Sequence, residues 1–175
     1  TEGRAYLYYG HLSGPSLIAD WNAESDSFFS KFGHAVATAG DVNGDGFDDI
    51  IIGAPDYTNV QLGEGAVFLW LGSATGLGAD GTPSNADWHE ESDEAGAGFG
   101  TSLSTAGDVN GNGRDDVIVG CPECDNGTTD EGRAFLYLGV AGGLAVIPVW
   151  TAESNQADVR FGISVSTAGD VNGDG

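Results

Sequence analysis

The tightest constraint on this chain's fold is that it repeats itself. A strand-like box reads EGRAYLYYG at 2–10, EGAVFLWLG at 64–72 and EGRAFLYLG at 131–139. A tryptophan box opens at Trp21, Trp88 and Trp150. The longest box reads FGHAVATAGDVNGDGFDD from Phe32, FGTSLSTAGDVNGNGRDD from Phe99 and FGISVSTAGDVNGDG from Phe161. The offsets are 67 and 62 residues. Self-similarity of this length marks one supersecondary unit packed against copies of itself. It divides the chain into residues 1–31, the end of a first repeat; 32–98 and 99–160, two complete repeats; and 161–175, the start of a further, truncated one.

Each repeat reads as about four short strands. The first alternates, as in Ala35-Val36-Ala37-Thr38, and leads into a polar Gly/Asp loop. The second is an apolar run, Ile50-Ile51-Ile52 or Val117-Ile118-Val119, stopped by Gly and Pro. The third, Ala66-Val67-Phe68-Leu69-Trp70-Leu71, is apolar on both faces. A sheet with one solvated face would alternate instead, so these sheets are expected to be covered on both sides. The fourth strand is placed near the Trp box. No stretch carries a helical period. The expected fold is all-β: four-stranded blades stacked radially as in a propeller, about three repeats, open or incomplete within this chain. A sandwich would explain the apolar runs but not the long repeat.

Thirty glycines without a collagen period fit many tight turns. Acidic residues number 27 against 5 basic ones, a formal charge of −22. Phosphate recognition needs a basic footprint, so nucleic acid is not an expected partner, and neither is anionic lipid. No apolar run has the length of a membrane span, so direct membrane insertion is not expected. Nor is a leader recognisable: the sequence opens on a repeat strand at Thr1-Glu2-Gly3. Cations are the natural partners of such a surface.

The polar loop has the pattern D-x-N-x-D-G-x-x-D. In the first copy it supplies Asp41, Asn43 and Asp45 at positions 1, 3 and 5, the Phe47 carbonyl at position 7, and Asp49 at position 9. Ca2+ takes 6–8 oxygens from carboxylates, carbonyls and water, and alternate residues of a tight loop turn their oxygens inward. The second copy supplies Asp108, Asn110, Asn112, the Arg114 carbonyl and Asp116. An amide there replaces a carboxylate, so weaker binding is expected. The third copy supplies Asp170, Asn172 and Asp174 and then stops, so it is expected to hold calcium poorly without help from another chain. An EF-hand would need Glu at position 12 and flanking helices. Position 12 is Ile52 or Val119, between strands. Metal-free Asx turns would explain Asn-Gly and Asp-Gly, but not inward oxygens repeated at fixed offsets.

With these residues in view, Phe32-Gly33 followed by AGDVNGDGFDDIIIGAP at 39–55 resembles the FG-GAP repeat of integrin α-subunit propellers and of many bacterial surface proteins. The resemblance implies four-stranded propeller blades, usually about seven to a ring, with calcium in the loop between the first two strands. Two departures stand out. Gly-Ala-Pro at 53–55 becomes Gly-Cys-Pro at 120–122, and fewer than three repeats cannot close such a ring. The missing strand of the interrupted repeat is expected to come from outside these residues, since an open sheet edge invites pairing.

Other residues favour plain roles. Cys121 and Cys124 form one C-x-x-C, half of a zinc site at most, and a local disulfide is expected. His11, His34 and His89 fall at unrelated repeat positions. Asp48-Asp49 could be read as glycosidase acids, but the pair recurs inside the loop. Trp21, Trp88 and Trp150 hold one repeat position, which points to packing between blades rather than sugar stacking. Asn126-Gly127-Thr128 fits a glycosylation pattern that short sequences often match. The function expected is a calcium-binding structural or interaction module, extracellular or on the cell surface, and not an enzyme. Its partners would be calcium and either another protein or further copies of itself. Two alternatives remain open: a filament or array subunit completed by strand exchange, and the propeller part of a larger secreted enzyme.

Overall fold

A computed structural model describes residues 2–169. Its strands are β1 (Ala5–Leu7), β2 (Gly10–His11), β3 (Gly14–Pro15), β4 (Trp21–Ala23), β5 (Ala35–Gly40), β6 (Asp49–Ala54), β7 (Ala66–Trp70), β8 (Trp88–Glu91), β9 (Ser102–Gly107), β10 (Asp116–Cys121), β11 (Arg133–Tyr137), β12 (Gly139–Val140), β13 (Gly143–Leu144) and β14 (Trp150–Glu153). Two antiparallel sheets of four strands run in the orders β5-β6-β7-β8 and β9-β10-β11-β14. Each is a four-stranded blade, and the Trp box opens the fourth strand of both. β1 pairs antiparallel with β4. By repeat position these two are the third and fourth strands of a preceding blade. The short hairpins β2–β3 and β12–β13 were not anticipated from the sequence; they lie between the third and fourth strands of their repeats. Among the described residues the sheets do not close into a ring.

The apolar runs are explained by face-to-face packing. Within β7 every residue is buried. Val67 and Leu69 point into a core shared with the next blade, beside Ile51, Phe99, Leu103, Val117 and Val119. Ala66, Phe68 and Trp70 point the other way, onto Trp21, Phe32 and Ile52. Each such Leu, Ile or Phe contributes about 1.5–3 kcal/mol relative to exposure, so both faces favour apolar side chains. Trp21 stacks edge-on to Trp70 at 5.4 Å, and Trp88 edge-on to Tyr137 at 5.3 Å. These two tryptophans bear out the packing role. Trp150, at the same repeat position, is 49% exposed because no sheet covers its face among the described residues.

The glycine boxes meet at one seam. The amide of Phe32 donates to Glu2, that of Phe99 to Glu64 and that of Phe161 to Glu131, at 2.9, 3.2 and 2.9 Å. The Phe-Gly of each blade thus pairs with the Glu-Gly of the blade before it, forming isolated parallel bridges such as Gly65↔Phe99. Gly65 has φ +81°, and a Cβ there would strike the backbone N and O of Phe99. Only glycine allows the two chains this close. The loop between β7 and β8 adds a second tie: Gly81 pairs in parallel with Ala23 of the preceding blade, and the Trp21 indole donates to the Ala79 carbonyl at 2.8 Å. Cys121 and Cys124 are joined in a disulfide at the end of β10, where both are buried.

Candidate metal centre

Both described Asp/Asn loops connect the first and second strands of a four-stranded blade, β5 to β6 and β9 to β10. In the first loop, Asp41 Oδ1 accepts the amide protons of Gly44 and Asp45 at 2.7 and 3.0 Å, and Oδ2 accepts that of Gly46 at 2.8 Å. Asn43 Oδ1 accepts from the Asp45 amide at 2.8 Å, and its Nδ2 donates to Asp45 Oδ2 at 3.0 Å. Asp45 Oδ1 accepts from the Phe47 amide at 3.0 Å. These are nested Asx turns, which Gly44 and Gly46 permit with φ of +79° and +91°. The second loop repeats the pattern. Asp108 accepts from Asn112 and Gly113 at 3.0 and 2.6 Å, and Asn112 Oδ1 accepts from Arg114 at 2.8 Å. Asn110 lies exposed on the same loop. Asp170, Asn172 and Asp174 lie outside the described residues.

The ninth position is the structural clasp. Asp49 is fully buried; its Oδ2 accepts from Val42 at 2.9 Å and its Oδ1 from Gly72 at 2.8 Å. Asp116 repeats this with Val109 and Gly139, at 2.9 and 2.8 Å. One carboxylate therefore ties the start of its loop to the end of the third strand. Burial pushes Asp49 up to about 6 against its two amide bonds, with the charges of Asp45 and Asp41 adding to the rise. Asp116 is raised in the same way by burial, with Asp108 and Asp115 adding. Asp108, more exposed, is held below the usual carboxylate range by the Gly113 amide.

Among the described residues no three His, Cys, Asp or Glu side chains already converge as a cage. Asp41 and Asp45 are turned onto the loop's own amides instead. The donor set nevertheless suits calcium: it is oxygen throughout, with three carboxylates and one amide in the first loop, and the charges of Asp45 and Asp41 add to the raised proton affinity of Asp49. Each carboxylate oxygen that accepts a single amide proton keeps a lone pair for a cation.

The sequence reading missed two groups. The first is the glutamate of the Glu-Gly box, seen only as the start of a strand. Glu64 and Glu131 are buried, and each caps the loop before it: Glu64 Oε1 accepts from Asn59 and Val60 at 2.7 and 3.1 Å, and Glu131 accepts from Asn126 and the Thr128 hydroxyl at 2.6 and 2.8 Å. Recurrence of an acid at the head of an apolar strand was the available signal. The second is Asp115, at position 8 of its loop, which reaches back to the preceding loop.

Blades built of four antiparallel strands, with an acidic loop between the first two, define a repeat protein of the propeller class. A family model described as FG-GAP repeat matches residues 32–70 and 99–137, and the chain is built of FG-GAP repeats. It is similar to integrin alpha-7 of Mus musculus, 33% identical over 164 residues, 92% of this chain and 13% of that protein. It is 36% identical to integrin alpha-5 of Xenopus laevis over 141 residues, 77% of this chain and 12% of that protein. Integrin alpha-4 of the same organism is 36% identical over 123 residues, 68% and 11%. The chain thus spans roughly an eighth of the length of these relatives. Among the described residues no helix is long and apolar enough to cross a membrane.

Proposed function

We propose that this chain is a calcium-binding interaction module that works outside the cell, in adhesion, matrix or surface display. The observation that carries the reading is the acidic loop found twice at one blade position, each time with a buried ninth-position carboxylate clasping loop to sheet. Asp41, Asn43, Asp45, the Phe47 carbonyl and Asp49 would hold one calcium; Asp108, Asn110, Asn112, the Arg114 carbonyl and Asp116 a second. Bound calcium would supply the positive charge that these carboxylates lack. The residues themselves fix the turn, and the stacked blades present the loops beside one another. No catalytic residue is assigned, and the resemblance to integrin α chains supports an extracellular, protein-binding role.

Calorimetric titration tests this. Two sites are expected, the first loop binding more tightly, and Asp45→Asn is expected to bring it towards the second. Absence of any calcium-dependent heat would overturn the reading.

Two apolar clefts favour a second feature of the same reading, a protein neighbour. A cleft of about 490 Å3 is lined by Leu7, Trp21, Val36 and Ile50, and one of about 430 Å3 by Ile118, Leu136 and Trp150. Further blades, from the same polypeptide or another copy, would cover them. Light scattering distinguishes a lone chain from a self-associating one.

A further inference from the structure

The two loops touch. The Asp115 amide donates to the Asp41 carbonyl at 3.0 Å, and Asp115 Oδ2 accepts the Asp41 amide proton at 2.9 Å. One residue of the second loop therefore brackets both backbone groups of the first ligand position in the first loop. Next to it, Arg114 Nε donates to the Asn43 carbonyl at 3.0 Å, holding the third ligand position. Gly40 makes room: a Cβ there would collide with the Asp115 carboxylate. Val42, between the two held residues, is fully buried in the core shared with the next blade. Among the described residues, nothing gives the matching positions of the second loop this support: none lies within 4 Å of where a Gly107 Cβ would be, and Val109 is 53% exposed.

Asp115 is not itself in the proposed ligand set. It stands between Arg114, whose carbonyl is, and Asp116, whose carboxylate is. Ordering the second loop around a cation fixes both neighbours of Asp115, and with them the bracket on Asp41 and the hold on Asn43. Ligands held in place before binding lose less freedom on binding. We infer that Asp115 and Arg114 are positioning residues that couple adjacent calcium loops, so that filling the second loop tightens binding at the first. Coupling between sites is reciprocal, so filling the first loop also tightens the second. Position 8 of the motif thus acts on the loop of the preceding blade rather than on its own. This rests on the calcium reading above.

The amide resonances of Gly46 and Gly113 give the test, because each donates to the first aspartate of its own loop. Calcium is titrated into the isotope-labelled chain and the two resonances report the two sites separately. Disabling the second loop with Asp108→Ala is expected to weaken the first about fivefold or more, the low end of ordinary coupling. Asp115→Ala is expected to do the same while both loops still bind. Asp115→Asn keeps a side-chain acceptor for the Asp41 amide and is expected to restore most of the affinity. Melting curves in chelator check that each variant is folded, and Arg114→Met supplies a second test that leaves the Arg114 carbonyl in place. Two sites whose first-loop affinity ignores Asp108→Ala and Asp115→Ala would overturn the coupling alone. Equal weakening by Asp115→Ala and Asp115→Asn would also overturn it, since lost charge rather than a lost bracket would then be the cause. No shift at either glycine in the unaltered chain would overturn the calcium reading and the coupling with it.

Discussion

Burial holds the Asp49 carboxyl near 6 where an ordinary aspartate lies at 3.8. The folded state without metal therefore binds this proton more tightly than the unfolded chain. The stability it contributes is fully present below 3.8 and is lost as pH rises through about 6. Asp116 is shifted in the same direction. In chelator, the melting temperature of the chain is expected to fall as pH is raised across this window, and Asp49→Asn is expected to flatten the slope. Thermal scans at several pH values check this; an unchanged slope in Asp49→Asn would remove Asp49 from the account. Protons and calcium compete for the same carboxylates, so calcium affinity is expected to fall on acidification.

Among the elements, the seam between Phe-Gly and Glu-Gly carries the blade-to-blade register. Gly65→Ala places a Cβ against the Phe99 backbone at a positive φ. The left-handed conformation alone costs about 1–2 kcal/mol, and the collision adds to it. Urea unfolding checks the loss, and a variant as stable as the original would contradict the seam. The tryptophans give a paired contrast. Trp88, 7% exposed, is expected to cost about 3–5 kcal/mol when changed to Ala. Trp150→Ala, at 49% exposure, is expected to cost well under half of that. The same unfolding curves decide between a uniform role for the box and one set by the covering blade. Strand order and the double-faced β7 were legible because they depend on local alternation and on repeats in plain view. The Asp115 bracket was not: residues 41 and 115 lie 74 positions apart, and only the stacking of one blade on the next brings them together. The hairpins β2–β3 and β12–β13 escaped because two-residue strands rich in glycine carry no periodic signal. The loop ligands were legible as residue types, while the clasping role of Asp49 depends on Gly72, at the end of another strand.

At the scale of the molecule, a formal charge of −22 works against compactness, and each loop concentrates like charges at one place. The blades oppose this with two interleaved apolar cores. Calcium in the loops would relieve the repulsion where it is densest. The central claim is that these loops are calcium sites, and crystals grown in millimolar calcium test it most directly through an anomalous difference map at long wavelength. A peak is expected in each complete loop, with oxygens of Asp41, Asn43, Asp45, Phe47 and Asp49 around the first at roughly 2.3–2.6 Å. Well-ordered loops with no anomalous peak in either, their carboxylates still turned onto the Gly46 and Gly113 amides, would contradict it.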